Sequence, residues 1–146
     1  MKFRFPIVII DEDFRSENSS GLGIRAMAQA IESEGFEVLG VTGYGDLSQF
    51  AQQQSRASAF VLSIDDEEFS SGPDVDPAVV NLRNFIEEVR WKNADVPIYI
   101  YGETKTSRHL PNDILRELHG FIHMFEDTPE FVARHIIREA KSYLEG

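Results

Sequence analysis

The run Ile7-Val8-Ile9-Ile10 constrains this chain more than any other segment. With Phe5 and Pro6 ahead of it, the run is almost unbroken in apolar character and rich in β-branched side chains. It lacks the apolar–polar alternation of a strand that faces water on one side. Successive strand side chains point to opposite faces, so a run of this kind is satisfied only where both faces are covered. Asp11-Glu12-Asp13 follows directly and ends it. A strand buried on both sides calls for a layer of structure on each.

The rest of the chain supplies those layers. Gly21 to Glu34 carries Ile24, Met27, Ala28 and Ile31 at helical spacing, and Gly35 stands where a left-handed residue ends a helix. Phe36 to Thr42 reads as a second strand. Asp46 can cap a short helix with Leu47, Phe50 and Ala51 on one side. Ala57 to Ile64 is a third strand, followed by an acidic loop from Asp65 to Val75 that holds Ser70-Ser71-Gly72-Pro73. Asp76-Pro77 opens a helix, Asp as N-cap and Pro at the first position, that runs through Leu82, Phe85, Ile86 and Val89 to Lys92. Val96 to Tyr101 is a fourth strand, Asn112 to Leu118 a short helix and Gly120 to Phe125 a fifth strand. Thr128-Pro129 opens the last helix, with Phe131, Val132, His135, Ile136, Ala140 and Tyr143. A helix in every link is what parallel neighbours require. The expectation is a single three-layer α/β domain over residues 1–146, flavodoxin-like, with five parallel strands in the order 2-1-3-4-5 and helices on both faces. Leu144-Glu145-Gly146 reads either as a terminus or as a cut before a further domain.

Charge and composition narrow the partners. There are 25 acidic side chains against 14 basic ones, a formal charge of −11. Phosphate backbones and anionic membranes are bound by clustered Lys and Arg, so nucleic acid and membrane are not expected partners. There is no cysteine, which excludes disulfides, thiolate metal sites and a Cys nucleophile. The first apolar run is too short for an export signal and is cut off by acids, so the expected location is cytoplasmic.

In open parallel sheets, ligands lie beyond the carboxyl ends of the strands. That rim would hold Asp11, Glu12 and Asp13 after the first strand and Asp65 and Asp66 after the third. Clustered carboxylates fit a divalent cation of Mg²⁺ type, or else a solvated acidic loop. Ser19-Ser20-Gly21-Leu22-Gly23 precedes the expected helix start and admits two readings, a phosphate-holding turn for a flavin or nucleotide, or a flexible glycine loop. His119 and His123 bracket the fifth strand, His109 sits in a loop and His135 on the last helix, and no pair has helical metal spacing with a carboxylate partner. No serine stands in a nucleophile-elbow pattern. Phe is overused, 11 residues against four Tyr and one Trp. Phe5, Phe36, Phe60, Phe85, Phe121 and Phe131 fall on core-facing patterns. Phe14, Phe50, Phe69 and Phe125 lie nearer loops, as interface anchors or as closure of the core rim.

The acidic rim resembles that of a two-component receiver domain. Asp11 and Glu12 stand where receivers keep a metal-binding acidic pair, and Asp65 is near the phosphate-accepting position. Receivers carry Thr or Ser directly after the fourth strand, and here Gly102-Glu103 follows Tyr101, with Thr104 displaced. They carry a Lys after the fifth strand, and here Phe125-Glu126-Asp127 fills that region, with Lys105 out of place. The resemblance implies a receiver-like fold without phosphotransfer.

Longer strings carry a second resemblance. Phe36-Glu37-Val38-Leu39-Gly40-Val41, Ser63-Ile64-Asp65-Asp66-Glu67, Val96-Pro97-Ile98-Tyr99-Ile100-Tyr101-Gly102-Glu103-Thr104, Leu115-Arg116-Glu117-Leu118-His119-Gly120-Phe121-Ile122 and Glu126-Asp127-Thr128-Pro129-Glu130-Phe131 are similar to the amino-terminal wing domain of bacterial ornithine/lysine/arginine decarboxylases. The resemblance implies a domain with no catalytic, cofactor-binding or metal-binding residue of its own. Pyridoxal phosphate would belong to the following domains of the parent enzyme. The wing would serve subunit association, so its partners would be other copies of the chain and the decarboxylase catalytic domain. Some members bind a guanine-nucleotide alarmone near the wing, and no basic cluster here supports that site. The alternatives are a stand-alone receiver or pseudo-receiver that accepts phosphate on Asp65, and a flavin- or nucleotide-binding flavodoxin-like protein.

Overall fold

The computed structural model describes residues 5–42, 57–63, 77–92, 95–102, 110–123 and 126–145. In it, Ile7–Ile10 form strand β1, every residue of which is buried. Strand β2 is Val38–Val41, β3 is Ala59–Ser63, β4 is Ile98–Gly102 and β5 is Gly120–His123. All neighbours are parallel and the order is β2-β1-β3-β4-β5, as the run of elements along the sequence requires.

The two faces of β1 seed two cores. Ile7 and Ile9 pack with Ile24, Met27 and Ile31 of helix α1 (Ser19–Ser33) and with Val132, Ile136 and Ala140 of the last helix, α4 (Pro129–Glu145). Val8 and Ile10 pack with Leu82, Ile86 and Val89 of helix α2 (Pro77–Lys92) and with Ile114 of the short helix α3 (Asn112–Leu115). Helices α1 and α4 lie side by side on the first face. Each fully buried aliphatic side chain stabilises by roughly 1.5–3 kcal/mol, so each face holds its helices by several such contributions.

Local signals set the helix ends. The Asn18 carboxamide oxygen accepts the Gly21 N–H at 2.8 Å, which caps α1. Gly35 has φ 99°, the left-handed residue expected after that helix. The Thr128 hydroxyl accepts the Phe131 N–H at 3.4 Å at the start of α4, and Pro129 and Pro77 occupy first helical positions, where no N–H is missed.

Several expectations need correction. Helix α1 starts at Ser19, so Ser19-Ser20-Gly21-Leu22-Gly23 forms its first turns and is not a flexible loop ahead of it. The Asn18 cap, three residues ahead of the expected start at Gly21, is the reason. Phe131 is 67% exposed, not core-facing, because Val132 and Ala133 take the inward positions of α4's first turns. Strand β2 is shorter than expected; Phe36 precedes it and is buried in the first core. The short helix before β5 ends at Leu115, not Leu118. The expected helix at Asp46 and the Asp65–Val75 loop lie outside the described residues, as do His109, Phe50, Phe69 and Phe125.

Gly21 is required by close approach. A Cβ there would run into the backbone carbonyl oxygens of Ser16 and Asp13, which belong to the turn leading into α1. At Gly23, a Cβ would meet only the Tyr101 hydroxyl, at 3.3 Å. Gly21→Ala should therefore lower the unfolding free energy by about 1–3 kcal/mol through overpacking against backbone. Gly23→Ala should stay within about 1 kcal/mol of the parent, since a helical Ala is intrinsically favoured over Gly by about that much. Urea denaturation of the two variants distinguishes them, and equal effects would show that the turn yields.

Candidate functional site

The carboxyl ends of β1, β3 and β4 form the rim where a ligand would lie. Ile10 pairs with Leu62, and Ser63 with Tyr101, so Asp11, Ser63 and Tyr101 fall in one row across the sheet. The two-residue strand period sets Asp11 on the same face as Ile7 and Ile9, and Tyr101 on that of Tyr99, the face covered by α1 and α4.

Asp11 is 3% exposed. Its backbone N–H extends the ladder to Val41 O at 3.0 Å. Its carboxylate accepts the Asp13 N–H at 2.7 Å through Oδ1, while Oδ2 is buried without a hydrogen-bond partner among the described residues. Burial raises the Asp11 pKa above the ordinary carboxylate value; the Asp13 N–H and the Ser63 hydroxyl pull the other way, and the Asp13 charge adds to the rise. Tyr101 is also buried, and burial, with the Asp11 charge second, pushes its phenol up to about 12.

Asp13 works on its own turn. Its Oδ1 accepts from Ser16 Oγ and Asn18 Nδ2, each at 3.3 Å. Arg25, one helical turn beyond Gly21, donates through Nη1 to the carbonyls of Phe14 and Ser16, both at 2.7 Å. The Phe14 ring lies on Gly40 of β2, where no larger residue would leave it room, and it packs against the first core. Phe14 is therefore closure of the core rim. The turn after β1 is thus held by Asp13, Arg25 and Phe14 together.

Of the expected rim, Asp11 and Asp13 come together and Glu12 is exposed on the same turn. Asp65 and Asp66 lie outside the described residues, as do Thr104 and Lys105. Among the described residues, no group of three or more His, Asp or Glu side chains is placed to hold a metal ion. The described histidines, His119, His123 and His135, pack on aromatic neighbours. His135 meets the Tyr99 ring edge-on at 5.5 Å, His119 is 6.3 Å from it, and His123 lies 5.1 Å from Phe121. Sequence reasoning missed Ser63, Tyr101 and Arg25. Strand parity applied to Tyr99 and Tyr101 would have found Tyr101; the backbone bonds of Arg25 have no sequence signal.

A model of the family described as Orn/Lys/Arg decarboxylase, N-terminal domain, matches residues 19–143. The chain belongs to that family. It is 24% identical to lysine decarboxylase LdcA of Pseudomonas aeruginosa over 146 residues, which is 98% of this chain and 19% of that protein. The solved structure of the same lysine decarboxylase superposes with a TM-score of 0.73 at 25% identity, with the same coverage. The chain therefore spans about a fifth of the relative it matches. An orphan response regulator of H. pylori (TM-score 0.64, 10% identity, 96% of this chain and 99% of that one) shares the fold. So does a response regulator receiver domain from Clostridium thermocellum (0.62, 11%, 95% and 96%). No helix among the described residues is long and apolar enough to cross a membrane.

The rim makes a stability prediction. Asp11 has its folded pKa raised, so the folded state holds the proton more tightly than the unfolded one. Its contribution is most favourable below the unfolded pKa near 3.8 and is lost as pH rises through the folded value. Asp11→Asn keeps the acceptor for the Asp13 N–H and removes the buried charge. It should be more stable than the parent at pH 7 by about 1–2 kcal/mol, with the difference shrinking below about pH 4. Thermal melts across that pH range read this; a variant less stable at pH 7 would show that the Asp11 charge is needed.

Proposed function

We propose that this chain is the non-catalytic N-terminal domain of a pyridoxal-phosphate-dependent basic amino-acid decarboxylase, serving assembly or its regulation. The observation that carries the reading is the match of residues 19–143 to a decarboxylase N-terminal domain, together with the four-fifths of the lysine decarboxylase that the chain does not span. The rim supports it. Asp11 is shut in beneath its own turn, and Asp13 is engaged by Ser16 and Asn18, so these carboxylates do structural work.

Pyridoxal phosphate does not fit the groove between α2 and α3. It needs a lysine amine and a cradle of donors for its phosphate. The groove between α2 and α3 is lined by Arg83, Arg90, Asp113 and Glu117 with no lysine, and each arginine is paired to a carboxylate at 2.7 Å. The cofactor is assigned to the rest of the parent protein, in the cytoplasm, and the partners of this domain to the catalytic domain and to other copies. The test is expression of the gene product that contains this chain. It should decarboxylate lysine, ornithine or arginine, and removal of residues 1–145 should leave cofactor bound while abolishing its larger assemblies. The 146-residue chain alone should develop no cofactor absorbance on reconstitution. An intact product with no such activity would overturn the reading.

Charge gives the assembly a pH dependence. With −11 per copy, closely packed domains repel one another at pH 7. Acid brings the charge toward zero near the pI of 4.7. Assembly should strengthen from about pH 7 to about pH 5, and salt at pH 7 should partly mimic acid by screening. Sedimentation velocity should show a discrete larger species at about pH 6; polydisperse aggregate alone, or no response to acid and salt, would contradict this.

A further inference from the structure

We propose that the outer face of α2, anchored by Trp91, is where the polypeptide following this domain in the parent protein packs. The proposal rests on the reading as a decarboxylase N-terminal domain. Trp91 is the one tryptophan of the chain and is 86% exposed. That exposure leaves most of its ring in water, and large aromatic rings are the side chains most enriched as interface anchors. Val80 and Leu115 are exposed as well. Val80, Glu87 and Trp91, seven and eleven residues apart, share one stripe of α2.

The face is built rigidly. Arg83 Nε meets Asp113 Oδ2 at 2.7 Å, and Arg90 Nε meets Glu117 Oε2 at 2.7 Å. Arg90 also donates to the carbonyls of Val96 and Glu117, each at 2.7 Å. These bonds tie α2 to α3 and to the start of β4, so little ordering remains to be done on binding.

The position of the chain's exit selects the occupant. Helices α2 and α4 each run from the carboxyl rim of the sheet back to its opposite end, because each follows one parallel strand and α2 leads into the next. Trp91, in the last turn of α2, and Glu145, at the end of α4, therefore lie at the same end of the sheet. Tyr143 near the end of α4 packs against the core on the α2 side. On the reading as an N-terminal domain, the polypeptide that follows Glu145 in the parent protein would leave from that end. A tethered segment faces this surface at an effective concentration of order millimolar. A second copy is the poorer occupant of this face, since it lacks the tether that raises the effective concentration.

The chain has no cysteine, so Glu87→Cys, on the same exposed stripe and with Trp91 kept, gives one thiol in this domain. Maleimide labelling at position 87, read by peptide mass, compares the intact parent protein with the 146-residue chain. The proposal expects labelling at least tenfold slower in the intact protein, unchanged on dilution to concentrations where subunits separate. Equal labelling in an active decarboxylase overturns the docking alone. Protection that fades on dilution assigns the face to a second copy and also overturns it. An intact product without decarboxylase activity overturns the underlying reading and the docking with it.

Discussion

Burial of β1 on both faces is the constraint from which the architecture follows. Four consecutive apolar residues with no polar alternate cannot lie at a sheet surface, so helices must cover both sides. Ile7 and Ile9 recruit α1 and α4, while Val8 and Ile10 recruit α2 and α3. Because β1 is an interior strand, β2 and β3 pair on its two sides, and the helical crossovers make those pairings parallel. The strands β3 and β4 inherit the same two-sided burial, whereas the edge strands β2 and β5 are only half-buried along most of their length.

The carboxyl rim is where this fold ordinarily offers a site, and here the rim next to β1 is closed over by its own turn. Gly21 lets the turn approach α1 at backbone distance, Arg25 bonds its carbonyls, and Phe14 lies across Gly40. Asp11 is left beneath this cover with one unpartnered oxygen, an arrangement that costs stability when the carboxylate is charged. A carboxylate retained under such a cost, with Tyr101 in its row, marks the place where the shared fold and the local chemistry part company. The receiver domains share the backbone, and at 10–11% identity they share nothing that assigns chemistry to this rim.

Legibility followed the range of the physical signal. Strand order was readable because each link visibly carries a helix, and Gly35, Pro77 and Pro129 marked helix ends through backbone restrictions intrinsic to those residues. The first helix was misread at its start because Asn18 competes with Ser19 and Gly21 as a boundary signal, and only the 2.8 Å bond to Gly21 N decides between them. Phe131 was misread because an amphipathic helix leaves two neighbouring apolar residues to choose from, and packing gave the inward place to Val132. At the site, Asp11 and Asp13 were readable from their place after β1. Ser63 and Tyr101 depend on register between strands about 40 residues apart, which no local pattern encodes.

The two ends of the sheet thus carry different burdens. At the carboxyl rim, polar side chains turn inward to hold a turn, and the available hydrogen bonds are spent within the domain. On the α2–α3 side, paired arginines fix two helices into one surface, yet Val80, Trp91 and Leu115 remain in water. A domain of this size can bury its large apolar residues if nothing else needs them. Tyr99, Phe36, Met27 and Leu82, all deeply buried, show that this one does so elsewhere. An exposed Trp on a stiffened face, at the end of the sheet where α4 also ends, is a distribution that folding of the domain alone does not call for. Docking on this face, as proposed above, would account for it.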